Sequence, residues 1–143
     1  MKRKYFLIVL FLVLAIFLSG CAGGGIVTPS VDVDETKVKG IINNYWLALS
    51  NRQYGLAKSY CILNGEFYRL AEEYQNMPYI GSSTVTFTPY VNWVEITGNS
   101  AKANINLTVT VTFCFDGNCS SGSETLYNYS IYLDRVSGAW KLK

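Results

Sequence analysis

The sequence predicts an α+β domain, with N-terminal helices packed in a curved antiparallel sheet of about four strands. Three observations predict it. Apolar residues recur at helical spacing from Val38 to Tyr74, and from Thr84 onward they alternate with polar ones. Two glycine turns, Gly98-Asn99 and Asp116-Gly117, then fold the second half back on itself. Helices first and strands second is the order of an α+β domain, not of a parallel α/β sheet.

Ahead of that domain, Lys2, Arg3 and Lys4 precede an unbroken apolar run of fourteen residues, 5–18. A bilayer-spanning helix needs about 20, whereas this run has the length of a secretory h-region. Leu18-Ser19-Gly20-Cys21 closes it, and the segment resembles the lipobox of prokaryotic lipoproteins. That resemblance implies a signal peptide over residues 1–20, cleavage after Gly20 and acylation of the Cys21 sulfur. The partner is then the lipid bilayer, and the location is the extracytoplasmic face of a cell membrane. The alternative is an ordinary signal peptide or an uncleaved anchor. Each buried methylene contributes about 0.8 kcal/mol, and stable attachment takes two chains, which a diacylated cysteine supplies. Residues 21–31 hold three glycines and a proline without a period and read as the lipidated cysteine and a flexible linker. Its ten residues after Cys21 reach ~17–19 Å, which keeps residues 32–143 close to the membrane.

The leader carries three of the twelve Lys and Arg residues and none of the acids, so the remaining chain has nine against ten, a net charge of −1. A near-neutral body without a basic cluster excludes nucleic acid as the partner. The absence of histidine removes the usual general base near neutral pH and the commonest metal ligand. Cys61, Cys114 and Cys119 lack metal-ligand spacing. No metal and no cofactor are expected.

In the domain, Asp32 and Glu35 read as a capping box. Val38, Ile41, Ile42, Tyr45, Trp46 and Leu49 then form one apolar stripe of a helix that ends at Ser50-Asn51-Arg52. A shorter helix is predicted over residues 53–61. A third, capped by Asn64, presents Phe67, Leu70, Ala71 and Tyr74, with Pro78 beyond its end. Residues 77–83 connect to the first strand.

Val85 and Phe87 open that strand. Pro89 requires an edge position or a bulge, and Val94 and Ile96 resume on the opposite parity. A two-residue turn at Gly98-Asn99 pairs Ile96 with Ala101, Val94 with Ala103, and Glu95 with Lys102 as an ion pair. From Ala101 to Phe115 every odd position is apolar, and Tyr127, Tyr129, Ile131 and Leu133 continue inward after the turn. A last turn at Val136-Ser137-Gly138 leads to a closing strand with Trp140 and Leu142.

Cys114 and Cys119 face each other across Asp116-Gly117 and are expected to form a disulfide, which an extracytoplasmic compartment permits. That register pairs odd with even residues, so a bulge within residues 120–123 is expected to restore the inward parity. The alternative is a bridge from Cys61 to one of the pair, or none. Otherwise Cys61 is a buried thiol.

The layout is similar to the nuclear transport factor 2-like superfamily, which includes ketosteroid isomerase and scytalone dehydratase. The residues that carry the resemblance are Tyr45-Trp46-Leu47-Ala48-Leu49, then Asn51-Arg52-Gln53-Tyr54-Gly55-Leu56-Ala57, then the meander ending in Val136-Ser137-Gly138-Ala139-Trp140-Lys141-Leu142. The resemblance implies a cone, in which a curved sheet wraps a long helix and leaves a pocket at its open end. It also implies a dimer through the outer sheet face.

Glu95, Asp116 and Asp134 all fall outside the apolar inward runs, where a carboxylate would have its pKa raised for acid/base work. No catalytic residue is transferred from the superfamily. Tyr45, Trp46, Tyr127, Tyr129 and Trp140 are the candidate lining of a pocket for a small apolar ligand. Trp93, Asn104, Asn106, Thr108, Thr110, Asn128 and Tyr132 make an uncharged polar sheet face, a candidate interface for a homodimer or an envelope protein. The expected function is a membrane-anchored, non-catalytic ligand-binding or protein-interaction module. The alternative is a small isomerase or dehydratase using a carboxylate and tyrosines in the cone.

Overall fold

The computed structural model describes residues 31–77 and 83–143, with side chains from residue 33. The elements run α1 (Val31–Ser50), α2 (Tyr54–Ser59), α3 (Glu66–Asn76), β1 (Thr84–Thr97), β2 (Ser100–Phe115), β3 (Asn118–Val136) and β4 (Ala139–Leu142). The strands form one antiparallel sheet in the order β1-β2-β3-β4, so β1 with its Pro89 is an edge strand. The Cys21 lipidation site and the leader lie outside the described residues.

α1 forms because its apolar stripe has one surface to cover. Val38, Ile42, Tyr45, Trp46 and Leu49 are buried against the inner face of the sheet, where Phe87, Ala101, Ala103, Ile105, Leu107, Ile131, Leu133, Trp140 and Leu142 meet them. Ala101 and Ala103 are the small residues of that face, and larger ones surround them. The capping box is corrected. The helix already includes Val31, so Asp32 lies inside it, and Glu35 instead reaches Lys39 one turn on at 2.7 Å. The cap of α3 is corrected too. Gly65 is the N-cap, while Asn64 takes a left-handed φ of 61° in the preceding turn.

The β1–β2 register pairs Ile96 with Ala101, Glu95 with Lys102 and Val94 with Ala103, as the turn requires. The parity switch in β1 falls at Asn92, an extra residue between the Val91–Ile105 and Trp93–Asn104 pairs. In β3 the switch lies between the Tyr129–Ile105 and Leu126–Leu107 pairs, so Tyr127 and Asn128 together oppose Asn106. The bulge expected within residues 120–123 is therefore corrected to Tyr127–Asn128, where Asn128 adopts a φ of 58° that asparagine tolerates well.

Two ties fix the ends of the domain. At the start of α1, Asp34 forms a short hydrogen-bonded ion pair with Arg135 of β3, whose guanidinium stacks 4.7 Å over the Trp140 ring. Burial pushes the Asp34 carboxyl up, but the hydrogen bond from Arg135 and the charges of Arg135 and Lys37 outweigh it and hold the group below the usual carboxylate range. At the C-terminus, Leu142 exchanges backbone bonds with Tyr60 (2.9 Å) and Ile62 (2.7 Å), and Lys143 accepts from the Phe67 N–H at 3.2 Å. Gly65 makes that suture possible. A Cβ there would lie 2.7 Å from the Lys143 carbonyl carbon, a backbone atom that cannot turn aside.

Two predictions follow from these ties. Gly65→Ala should destabilise the domain by about 1–3 kcal/mol through overpacking, read as a lower urea midpoint with an unchanged slope. The folded-state pKa of Asp34 lies below its unfolded value, so its contribution is complete above the unfolded pKa and is lost as pH falls through the folded one. Acid unfolding of Asp34→Asn, followed by circular dichroism, should show a shallower loss of stability below the usual carboxylate range than the parent, from a lower starting value.

Candidate functional site

Among the described residues, the interior of the cone holds a cluster of packed rings. Tyr45 and Trp46 of α1 meet edge to face at 5.1 Å, and Phe67 of α3 lies 5.4 Å from Tyr45 and 6.1 Å from Trp46. Phe87 of β1 contacts Trp46 and Tyr74, each at 5.2 Å, and Tyr129 of β3 closes on Phe67 at 6.5 Å. The buried Tyr45 hydroxyl donates to the Phe67 carbonyl at 2.8 Å. Burial drives that phenol far above its ordinary range, and Cys61, Tyr129, Tyr74 and Glu66 push the same way. Tyr45 is thus a neutral donor spent on the backbone, with no proton to exchange near neutral pH.

Among the described residues, the five expected to line one pocket fall in different settings. Tyr45 and Trp46 are core, and Tyr129 is half-buried at the rim. Trp140 is buried on β4 beneath Arg135. Tyr127 is 73% exposed and belongs to the outer face, because the bulge beside it reverses the parity on which its inward position depended.

The three carboxylates weighed from the sequence lie outside the ring cluster. Glu95 is exposed on the outer face, and Asp116 occupies the β2–β3 turn. Asp134 accepts from Ser100 (2.8 Å) and pairs with Lys143 (2.9 Å). Its hydrogen bonds from Lys143 and Ser100 hold its carboxyl below the usual range, against a small opposing effect of burial. A cleft of about 300 Å³ at the cone's rim brings Glu66, Arg69, Leu70 and Glu73 of α3 to Tyr129. Sequence reasoning did not single out Glu66, although its place directly after the N-cap glycine and the inward parity of Tyr129 were both visible. Glu66, Arg69 and Glu73 are exposed, so solvent bathes the cleft. Burial and then Glu66 raise the Tyr129 phenol, which makes it a still weaker acid.

The outer sheet face collects the residues expected to form an interface. Thr84, Thr112 and Ser121 form one rung across β1, β2 and β3; Thr86, Thr110 and Ser123 form the next; Thr88, Thr108 and Thr125 the third. The β2 and β3 hydroxyls of these rungs bond each other at 2.8–2.9 Å. Beyond them Asn92 donates to Asn104 (2.6 Å) and Asn106 (3.1 Å), and Asn106 Oδ1 also accepts the Asn128 backbone N–H at 3.1 Å. Asn104 is only 7% exposed. The asparagines therefore serve the sheet itself. The expected Glu95–Lys102 ion pair is in register, but the Lys102 ammonium sits over the Trp93 and Tyr132 rings at 5.7 and 5.8 Å instead. Around this polar area Tyr90 (70% exposed), Tyr127, Trp93 and Tyr132 project into solvent.

Cys114 and Cys119 form the expected disulfide at the end of the β2–β3 hairpin, which extends past the start of β1 and exposes Phe113 and Phe115. Cys61 is a buried free thiol that donates to the Ala57 carbonyl at 3.4 Å, and burial pushes it up to about 12 against the pull of Lys141.

A helix cradled by a curved four-stranded antiparallel sheet, with two shorter helices closing one side, is the nuclear transport factor 2-like, or cystatin-like, fold. A conserved protein from Planctomyces limnophilus is similar, with a TM-score of 0.59 at 14% identity over 78% of this chain and 91% of that one. A nuclear transport factor 2-like superfamily protein from Salmonella enterica gives 0.58 at 16% identity, over 78% and 87%. An additional protein of this kind with a cystatin-like fold, from Novosphingobium aromaticivorans, gives 0.51 at 11% identity, over 77% and 78%. Identities this low establish the fold alone. No protein-family model and no curated protein matches the sequence.

The hairpin end lies beyond the paired length of β1, so its disulfide should act locally. Closing so short a loop contributes about 2 kcal/mol by chain entropy. Reduction should speed amide hydrogen exchange at residues 111–121 at least tenfold and leave the amides of Ile105 and Ile131 unchanged.

Proposed function

We propose that this chain is a membrane-anchored, extracytoplasmic lipoprotein whose domain is a non-catalytic binding module that makes contact through its outer sheet face. The observation that carries this reading is the cluster of buried rings inside the cone. Acid/base catalysis needs a tuned group within hydrogen-bond reach of a substrate atom. Here the inward tyrosine is committed to a carbonyl and the rim carboxylates are solvated.

The outer face suits a partner for a separable reason. Covering a polar surface is costly when donors lose water without gaining partners. On this face the β2–β3 hydroxyls already satisfy one another and the asparagine amides are shared within the sheet. Its few charges gather around Lys102, while Tyr90, Trp93, Tyr127 and Tyr132 supply the aromatic area that interfaces favour. A second copy or an envelope protein fits that chemistry. The tether in this reading is the acylated Cys21.

Native mass spectrometry of the purified chain should find an oligomer or a co-purifying partner. The double variant Tyr90→Lys/Tyr127→Lys should return it to a free monomer with an unchanged melting temperature, because both side chains are exposed. A parent that is strictly monomeric and partner-free sinks the reading. In the same spectra the acylation reading requires loss of residues 1–20 and added acyl mass on Cys21.

A further inference from the structure

Outside the cone, a groove of about 560 Å³ runs between α1, the end of α2 and the edge strand β4. Its walls include Lys37, Gly40 and Ile41 from α1 and Trp140 and Lys141 from β4, and no carboxylate is among its lining residues. The Lys37 ammonium stands 3.9 Å from Asp34, a loose contact on a well-exposed side chain, and Asp34 is itself committed to Arg135. The Lys141 ammonium donates to the Ser59 carbonyl, and among the described residues no carboxylate lies within 4 Å of it. The groove therefore has an apolar floor with two cations beside it and no anion of its own.

Gly40 gives the second, independent observation. It sits in the middle of the 20-residue α1, where glycine disfavours the helix by about 1 kcal/mol relative to alanine. Neither backbone nor packing explains it. Its φ is an ordinary helical one, and a Cβ built there meets no atom within 4 Å. What a side chain at this position would enter is the groove itself. Helical Gly55 also meets open space, but of the two it is Gly40 that lines this groove, where a ligand can approach the backbone.

We propose that this groove binds an amphiphilic anion, a phosphate or carboxylate head held between Lys37 and Lys141 with a short apolar body over Gly40, Ile41 and Trp140. A neutral apolar ligand would leave both ammonium groups unused, and a cation would be repelled by them. The head belongs either to a free soluble amphiphile or to an anionic lipid of the bilayer. The site is separate from the outer sheet face and stands whether or not that face has a partner.

Hexyl phosphate is the probe, added to the purified full chain in phosphatidylcholine nanodiscs and followed by saturation-transfer NMR. It should bind at least tenfold more tightly than hexanol. Gly40→Leu should abolish the transfer while keeping or raising the melting temperature, since the new side chain fills open space on a better helix former. Lys37→Gln/Lys141→Gln should weaken binding at least tenfold, and Tyr90→Lys/Tyr127→Lys should leave it unchanged. Phosphatidylglycerol in the nanodisc should displace the probe if the natural head is a lipid's and spare it if the ligand is soluble; either result supports the site. Equal binding of hexyl phosphate and hexanol, or undiminished binding by Gly40→Leu, overturns it.

Discussion

Four asparagines at one level of the sheet set the shape of this domain. Asn92 is the extra residue of β1, Asn128 the left-handed residue of the β3 bulge, and Asn104 and Asn106 lie between them on β2. A bulge bends its strand and increases local twist. Two bulges flanking one central strand at the same height bend the sheet along a line, and such creases are how curvature is introduced deliberately. Asn106 Oδ1 holds both creases at once, accepting from the Asn92 side chain and the Asn128 backbone. Residues expected to greet a partner thus keep the sheet curved.

The curvature decides what the interior can be. A flat sheet would offer α1 one row of contacts, whereas this one brings β1, β2, β3 and β4 side chains to the same helix. Tyr45, Trp46, Phe67 and Phe87 pack in the space so enclosed, and the edge-to-face contacts among the first three contribute about 0.5–1.5 kcal/mol per pair beyond burial. Buried tyrosine needs a partner, and the Phe67 carbonyl supplies it. The same architecture that can hold a ligand is here used to hold itself.

Much of this was legible in the sequence because it follows from period and register. The stripe on α1, the β1–β2 register and the Cys114–Cys119 bridge are each fixed by local spacing. The bulge in β3 was not. Parity shows that an extra residue must exist between Cys119 and Tyr129, but Gly122 drew attention to the wrong place. Asn128 was the better signal, since asparagine accepts a left-handed φ and a bulge there leaves Leu126 and Leu107 paired. Tyr127 then went to the wrong face, as one misplaced residue moves every side chain beyond it. The pocket was illegible for another reason. Periodicity tells which rings point inward, but whether they leave a space depends on how far apart the walls stand.

A ring-packed cone changes where a small ligand can go. With rings packed at the centre, the Lys37–Lys141 groove offers concavity at the margin, where α1 meets β4. There α1 turns its weakest helical residue, Gly40, towards β4, and the edge strand ends its pairing with β3 at Ala139. The Asp34–Arg135–Trp140 tie fixes the groove's rear wall, because the guanidinium both pairs with the helix and caps the indole. It also withdraws the nearest carboxylate from competition. With Asp34 paired to Arg135, the charged side chains that line the groove are its two lysines, a placement that belongs to the fold and not to the near-neutral charge of the chain.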